Sequence, residues 1–286
     1  QELVRHGHHV CIERGAGERI GFSDADYSAA GASLDSKAEK IWRGSELIVK
    51  VKEPQPREIP WLSPKQTLFT YLHLAASKQL TLEMRASGGT AIAYETGTDR
   101  HGKLPLLAPM SEIAGRMAAQ AGAHYLEIPQ GGRGVLMGGA TGVAPAQVVV
   151  IGAGVVGRNA ARVAAGMGAQ VTLLDHSVDA LRAADLEFSG RVQLRVATAE
   201  HTRLLCRAAD LVIGAVLVPG AAAPRILDES DVKAMRNGSV IVDVSIDQGG
   251  CFATSKPTTH AEPVYVKHGV IHYCVANIPG AVARTS

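Results

Sequence analysis

Lys52, His73, Asp175 and Asp247 are the polar residues of this chain whose settings suit chemistry. Each interrupts or closes an apolar run read as a β-strand, and parallel strands deliver their carboxyl ends to one sheet edge, where α/β ligand sites form. Lys50 and Lys52 stand two apart in ELIVKVKEP (46–54), which puts both on one face of the expected strand. Lys50 reads as a solvated strand end. Lys52, beside the proline that stops the strand, reads as a ligand, a compact donor for a carboxylate or polarised carbonyl. His73 sits in TLFTYLHLAA (67–76). A lone histidine in such a run is more often a satisfied core residue. This one falls near the strand's carboxyl end, and imidazole titrates near neutrality, which suits proton transfer at an amino or carbonyl group. Asp247 precedes two glycines in SIDQGG, the setting of a turn former. Its place after a strand puts it instead over the expected ligand edge.

Asp175 belongs to a longer pattern, VVVIGAGVVGRNAARVAAGMGAQVTLLD (148–175). An apolar β-branched run leads into Gly152, Gly154 and Gly157, spaced G-x-G-x-x-G. The first allows a tight turn, the second lets backbone approach a pyrophosphate, and the third lets the helix pack on the strand. The helix N-terminus supplies free amides and a positive dipole end. Asp175 ends the next strand about 20 residues on, where a carboxylate accepts from an adenosine ribose. Together these predict a dinucleotide site. A 2′-phosphate would be repelled by Asp175, so the expected cofactor is NAD rather than NADP.

The elements that must position these residues alternate between strand-like and helix-like segments, which implies parallel β-α-β packing. In the first hundred residues we read strands over 8–15, 46–54, 67–76 and 89–96, and helices over 23–31, capped by Ser23, and 36–43. A long helix over 106–122, with Ser111 near its N-cap, connects the halves. QGGRGVLMGGATGVAP (130–145) is equally a flexible linker or a close-packed loop lining a cleft. From residue 147 six strands, VVVIG, VTLLD, RVQLRVA, ADLVIGAV, SVIVDVS and VIHYCVAN, follow a doubly wound pattern, with a helix over 228–235 between two of them. The expected fold is α/β, two Rossmann-like doubly wound domains with a cleft between them. The expected division is a substrate domain over 1–106, an NAD-binding domain over 107–282 including the connecting helix, and a return toward the first domain at 283–286. The glycine turn, Asp175 and Asp247 would form one wall of the cleft, and Lys52 and His73 the other.

With 286 residues, 46% of them hydrophobic and 20% charged, the chain can bury two ordinary cores. A net charge of +2 without a Lys/Arg stripe argues against nucleic acid. No apolar run is long enough to span a membrane, and no signal peptide is visible. Cys11, Cys206, Cys251 and Cys274 lack C-x-x-C spacing, which fits free thiols in a reducing cytoplasm rather than a zinc or redox site. The HGHH run at 6–9 lacks a carboxylate or thiolate partner, so no metal site is expected. No G-x-S-x-G element or Walker loop occurs.

LIVKVKEP, FTYLHLAAS, PLLAPMSEIAGRMAAQ, QGGRGVLMGG, VVVIGAGVVG, GAVLVPG, VDVSIDQGGCF and YCVANIPG, in this order across essentially the whole chain, resemble the alanine dehydrogenases. That family shares ancestry with the NAD-binding subunit of proton-translocating transhydrogenase. The resemblance implies reversible, NAD-dependent oxidative deamination of L-alanine to pyruvate and ammonia. It implies that Lys52 binds substrate, that His73 is the proton donor and acceptor at the substrate carbon, and that Asp247 is a second acid/base group beside the nicotinamide ribose. Cofactor contacts are implied for Ser111, the Val155 and Val156 backbone, Asp175, Val216, Leu217, Val244, Ser245, Ile246, Val275, Ala276, Asn277 and Ile278. A basic residue near the cleft is Lys256 here rather than arginine. A cytoplasmic homohexamer is also implied, with the connecting helix as an interface.

The chain departs from the family pattern at Ala180, where relatives can carry lysine, and at Ala197, where a serine often holds the adenine side. The family's substrate-carboxylate arginine lies before Gln1. Both ends look cut, and a piece so cut is expected to bind NAD but turn alanine over poorly. Two other readings compete: a transhydrogenase NAD-binding subunit, and a non-catalytic NAD-binding protein needing neither Lys52 nor His73.

Overall fold

A computed structural model describes residues 1–74, 77–218 and 222–286. The chain divides into two compact units, Gln1–Leu106 with Ala283–Thr285, and Leu107–Val282 with Ser286.

The first unit runs α1 (Glu2–Arg5), β1 (Cys11–Glu13), α2 (Asp24–Ala29), β2 (Ser33–Asp35), α3 (Ala38–Gly44), β3 (Leu47–Val49), β4 (Thr67–Thr70), α4 (Lys78–Ser87) and β5 (Thr90–Ala93). β1 and β2 pair in parallel, and β3, β4 and β5 form a second parallel sheet. Trp42, Ile48, Leu68, Leu72, Leu80 and Met84 form its core. Ser23 caps α2 in a capping box with Asp26.

The strands are shorter than the apolar runs suggest, and this alters the setting of both candidate residues. β3 ends at Val49, so Lys50 and Lys52 do not share a strand face. Pro54 and Pro56 lack the amide donors a longer strand would need. Lys50 is not a solvated strand end either: it pairs with Glu58, a mostly buried carboxylate, and lies 5.5 Å from the Trp42 ring centre. β4 ends at Thr70, and His73 lies beyond it with a left-handed φ of +48°. Ala75 and Ala76 of the expected strand fall outside the described residues. β2 and α4 went unread in the sequence; β2 occupies three residues, too few to show a period.

The second unit runs α5 (Ala108–Tyr125), β6 (Gln147–Ile151), α6 (Val155–Gly166), β7 (Gln170–Asp175), α7 (Val178–Phe188), β8 (Gln193–Val196), α8 (Ala199–Ala208), β9 (Leu211–Gly214), α9 (Glu229–Lys233), β10 (Val240–Asp243), β11 (Val264–Lys267) and β12 (Val270–Tyr273). The sheet order is β8-β7-β6-β9-β10-β12-β11, parallel except for the β11–β12 pair. Alternation along the strands feeds two cores. Val148, Val150, Leu211, Ile213, Val240 and Val242 meet Ala118, Ala119, Ala160, Ala161 and Ala164 on one face. Val149, Ile151, Val212 and Ile241 meet Leu227, Val232 and Phe252 on the other. The alanine- and glycine-rich sequence of α5 and α6 follows from this close packing: a Cβ on Gly115 would lie 2.2 Å from the Val156 carbonyl oxygen.

The antiparallel edge strand β11 was not expected from sequence. Ser111 is not at the N-cap of α5: Leu107 is, and the Ser111 amide already donates to its carbonyl. The glycine-rich segment 130–145 packs tightly. Met137 is buried, and a Cβ on Gly132 would meet the Tyr125 carbonyl oxygen at 2.2 Å. It packs at the amino ends of the strands, where the Arg133 amide donates to Gly238 O and its guanidinium meets Asp210 at 2.9 Å. That is the edge opposite the G-x-G-x-x-G turn. Among the described residues no helix is long and apolar enough to cross a membrane.

Candidate active site

Within the first unit, chain geometry at the end of β4 presents His73. The Glu95 carboxylate accepts from two successive amides, Leu72 N at 3.1 Å and His73 N at 2.6 Å. This clamp holds a left-handed residue that is not glycine, a conformation that costs about 1–2 kcal/mol. The His73 ring stacks on Tyr71, 5.8 Å between centres, and Tyr71 Oη donates to Leu106 O. His73 Nδ1 lies 3.2 Å from Glu53 Oε2. Among the described residues Nε2 has no hydrogen-bond partner. The hydrogen bond from His73 draws the Glu53 carboxyl down to about 2, against the opposing effect of its burial. Lys52 is half-buried, and its carbonyl accepts from Thr70 Oγ1 at 2.8 Å, which ties it to β4. The structure thus brings Lys52, Glu53 and His73 to one end of the β3–β4–β5 sheet. Glu53 and Glu95 were missed in the sequence. Glu53 had a signal, a carboxylate between the candidate lysine and a proline; Glu95 had none.

Within the second unit, the carboxyl ends of β6, β7, β9, β10 and β12 gather the remaining candidates along one sheet edge. Gly152 turns the chain with φ +107°, and a Cβ there would lie 2.5 Å from the Ala215 carbonyl oxygen. A Cβ on Gly157 would lie 1.7 Å from the Gly152 carbonyl oxygen. Gly154 is the N-cap of α6 and is exposed, and a Cβ there would meet no protein atom within 4 Å. Two glycines therefore answer to the protein's own packing, and the middle one leaves open space in front of the amides of Val155 and Val156. A pyrophosphate would have room there, so these residues fit a dinucleotide.

Asp175, at the end of β7, uses one oxygen to accept from Ala153 N (2.6 Å) and the other from Ser177 N (2.7 Å). The sequence suggested a ribose ligand; in the structure the carboxylate braces the glycine turn. Exposed His176 stands 3.5 Å away. Ser111 lies half-buried in the first turn of α5. Ala180 lies in the first turn of α7, and Ala197 directly follows β8, its amide donating to Asp175 O.

After β9, Val216 is half-buried and Leu217 exposed. Residues 244–248 form a 3-10 helix rather than a continued strand. In it Val244 is half-buried, Ser245 and Ile246 are buried, and Asp247 is exposed. Ser245 Oγ donates to Val216 O at 2.7 Å, joining the two loops. Asp243, missed in the sequence, is fully buried at the root of this loop. It accepts from Cys251 N at 2.9 Å and Ser255 Oγ at 2.6 Å, and burial pushes its carboxyl up. Its only signal was an aspartate ending an apolar strand.

After β12, Val275 and Ile278 are buried, so only their backbones can reach a ligand; Ala276 is exposed, and Asn277 takes φ +59°. Exposed Lys256 lies beside this segment, its ammonium 4.4 Å from the Tyr265 ring centre.

Two family models together cover nearly all of the chain: "Alanine dehydrogenase/PNT, N-terminal domain" over residues 1–114 and "Alanine dehydrogenase/PNT, C-terminal domain" over residues 118–286. The chain is 60% identical over 286 residues to an alanine dehydrogenase of Halomonas elongata, covering 100% of this chain and 77% of that protein. It is 55% identical over 285 residues to one of Mycobacterium tuberculosis, again covering 100% and 77%. A solved L-alanine dehydrogenase superposes with a TM-score of 0.93 at 51% identity, covering 99% of this chain and 78% of that one. A transhydrogenase structure from Sinorhizobium meliloti superposes at 0.83 but is 24% identical over 99% of this chain and 82% of that one, a likeness of fold. The chain belongs to the alanine dehydrogenase/PNT family.

Proposed function

We propose that this protein oxidises L-alanine to pyruvate and ammonia with NAD as hydride acceptor, and runs the reverse reductive amination. The observation that carries this reading is the likeness to alanine dehydrogenases through both family halves. The unit Gln1–Leu106 supplies the substrate groups and the unit Leu107–Val282 the cofactor groups.

NAD, held at the glycine turn of Gly152, Gly154 and Gly157, would supply the acceptor for the hydride that leaves the substrate Cα. The chain's own residues do the rest. The amides at the start of α6 and the open face of Gly154 hold the pyrophosphate. Asp175 accepts from the adenosine ribose and disfavours NADP. Ser111, the backbones of residues 216–217, 244–246 and 275–278, and Lys256 complete the cofactor contacts, and Asp247 serves as a second acid/base group beside the nicotinamide ribose. The Lys52 ammonium binds the substrate's carboxylate or carbonyl oxygen. His73 takes the proton of the attacking water as the iminium carbon gains its C–O bond, returns it to nitrogen, and then takes the hydroxyl proton as the C–N bond breaks and the C=O bond forms. The homohexamer and cytoplasmic location implied by the resemblance belong to the same reading, and light scattering and cell fractionation test them.

The direct test is His73→Ala in the full-length protein. Losing a general acid/base costs about 10²–10⁴-fold in rate, so turnover should collapse while NAD still binds. Near-normal turnover would remove His73 from the chemistry.

A further inference from the structure

We propose that Glu53 is a positioning residue for His73, its carboxylate accepting the Nδ1–H, fixing the tautomer that leaves Nε2 bare, and stabilising the imidazolium formed when Nε2 takes a proton. This rests on the reading of His73 as the acid/base group and deepens it, by naming which nitrogen works and what orients it.

The geometry supports more than a passing surface ion pair, a kind of contact worth about 0–1 kcal/mol. The His73 backbone is locked by the Glu95 clamp on Leu72 N and His73 N, and its ring lies flat against Tyr71. The ring is thus backed on one side by Tyr71, while 31% of the His73 side chain stays open to solvent. Glu53 is restrained from its own side. It precedes Pro54, which disfavours a helical backbone at Glu53, and the loop is tied down where Glu58 accepts from Gln55 N at 2.7 Å and pairs with Lys50. Two separately anchored segments thus hold Nδ1 and Oε2 3.2 Å apart. Imidazole oriented through Nδ1 by a carboxylate presents Nε2 as its proton acceptor.

Among the described residues the charged and titratable groups placed against His73 are Glu53, Glu95 and Tyr71, with Lys52 acting on Glu53 and Tyr94 packed on Tyr71. Glu95 spends its oxygens on backbone amides. Burial raises both tyrosines, which stay neutral, and Lys52 acts on Glu53 by charge alone. Glu53 is the anion that reaches the ring. In the hydration step water's oxygen bonds to the iminium carbon, the C=N π pair moves to nitrogen and neutralises it, and water's proton goes to Nε2. The Nδ1 proton stays in place.

Glu53→Gln removes the charge and offers Nδ1 an amide donor, which favours the opposite tautomer. Turnover of alanine should fall by between about 10-fold and 10⁴-fold, with the NAD Kd unchanged. Glu53→Asp should recover part of the rate. Unchanged turnover in Glu53→Gln would overturn the proposal while leaving His73 in its role. Near-normal turnover in His73→Ala would overturn the underlying reading instead. A measurement free of variant folding is the ¹⁵N NMR spectrum of histidine-labelled wild type, with His73 assigned by its loss in His73→Ala. A protonated Nδ1 and bare Nε2 support the proposal, and the reverse tautomer refutes it.

Discussion

The three glycines of the dinucleotide turn should respond differently to the same added methyl, and the contrast tests whether the open space before α6 is a ligand site. In Gly157→Ala the new Cβ begins 1.7 Å from the Gly152 carbonyl oxygen, and side-chain carbons essentially never sit within 3.0 Å of another heavy atom. The turn must open by roughly 1.3 Å, against backbone rather than a flexible side chain. Overpacking costs about 1–3 kcal/mol, and a backbone obstacle belongs at the upper end. For domains of this size about 3 kcal/mol lowers Tm by roughly 6–12 °C. In Gly154→Ala the Cβ meets no protein atom within 4 Å and φ is −73°, which an L-residue adopts freely. Its stability cost is limited to a poorer N-cap, at most about 1 kcal/mol or roughly 4 °C. The methyl instead occupies the space of the pyrophosphate. A displacement costing about 1–3 kcal/mol weakens NAD binding roughly 5–150-fold. Thermal melts of the ligand-free variants and calorimetric NAD titrations separate the two effects. A Gly154→Ala protein that binds NAD like wild type would refute the assignment of that space, and an unchanged Tm in Gly157→Ala would refute the packing argument.

Lys52→Ala should raise the alanine KM well above any change in that for NAD; the opposite pattern would move the lysine to the cofactor site. Asp175→Ala with His176→Arg should raise kcat/KM with NADP relative to NAD and lower Tm, because the Ala153 and Ser177 amides lose a charged acceptor whose bonds contribute about 1.5–3 kcal/mol each. Unchanged cofactor preference would contradict the selective role. His272, fully buried between Thr254 Oγ1 and Val270 O, is held to about 4 by desolvation. Its native pKa lies below its unfolded value near 6.5, so its contribution is intact above pH 6.5 and lost as pH falls toward 4, at up to about 1.4 kcal/mol per unit. Urea midpoints at pH 7 and pH 5 should differ less in His272→Gln than in wild type, and an equal drop in both would exclude the residue as the source.

The second unit was legible because it is built from periodic signals. Its central strands are apolar runs, its turn is a spaced glycine set, and its acid closes the next strand. The first unit was legible in its residues but less so in its geometry. The run around Lys52 and that around His73 are apolar enough to read as long strands, yet each leaves the sheet before the polar residue arrives. Prolines end one, and a left-handed turn held by Glu95 ends the other. Glu95 lies 22 positions from His73 and bonds its backbone, a pairing that leaves no pattern in the chain. The glycine-rich segment 130–145 shows the converse limit. Composition tells that backbone comes close there, but tertiary packing decides at which edge of the sheet, and it is the amino edge.

The central claim, that this chain delivers NAD to a small amino acid, is tested most directly by absorbance at about 340 nm on mixing the full-length protein with NAD and L-alanine. A rise matched mole for mole by pyruvate and ammonia is the predicted result. No reduction with alanine, alongside hydride exchange between NADH and an oxidised nucleotide analogue, would contradict it and point to transhydrogenation.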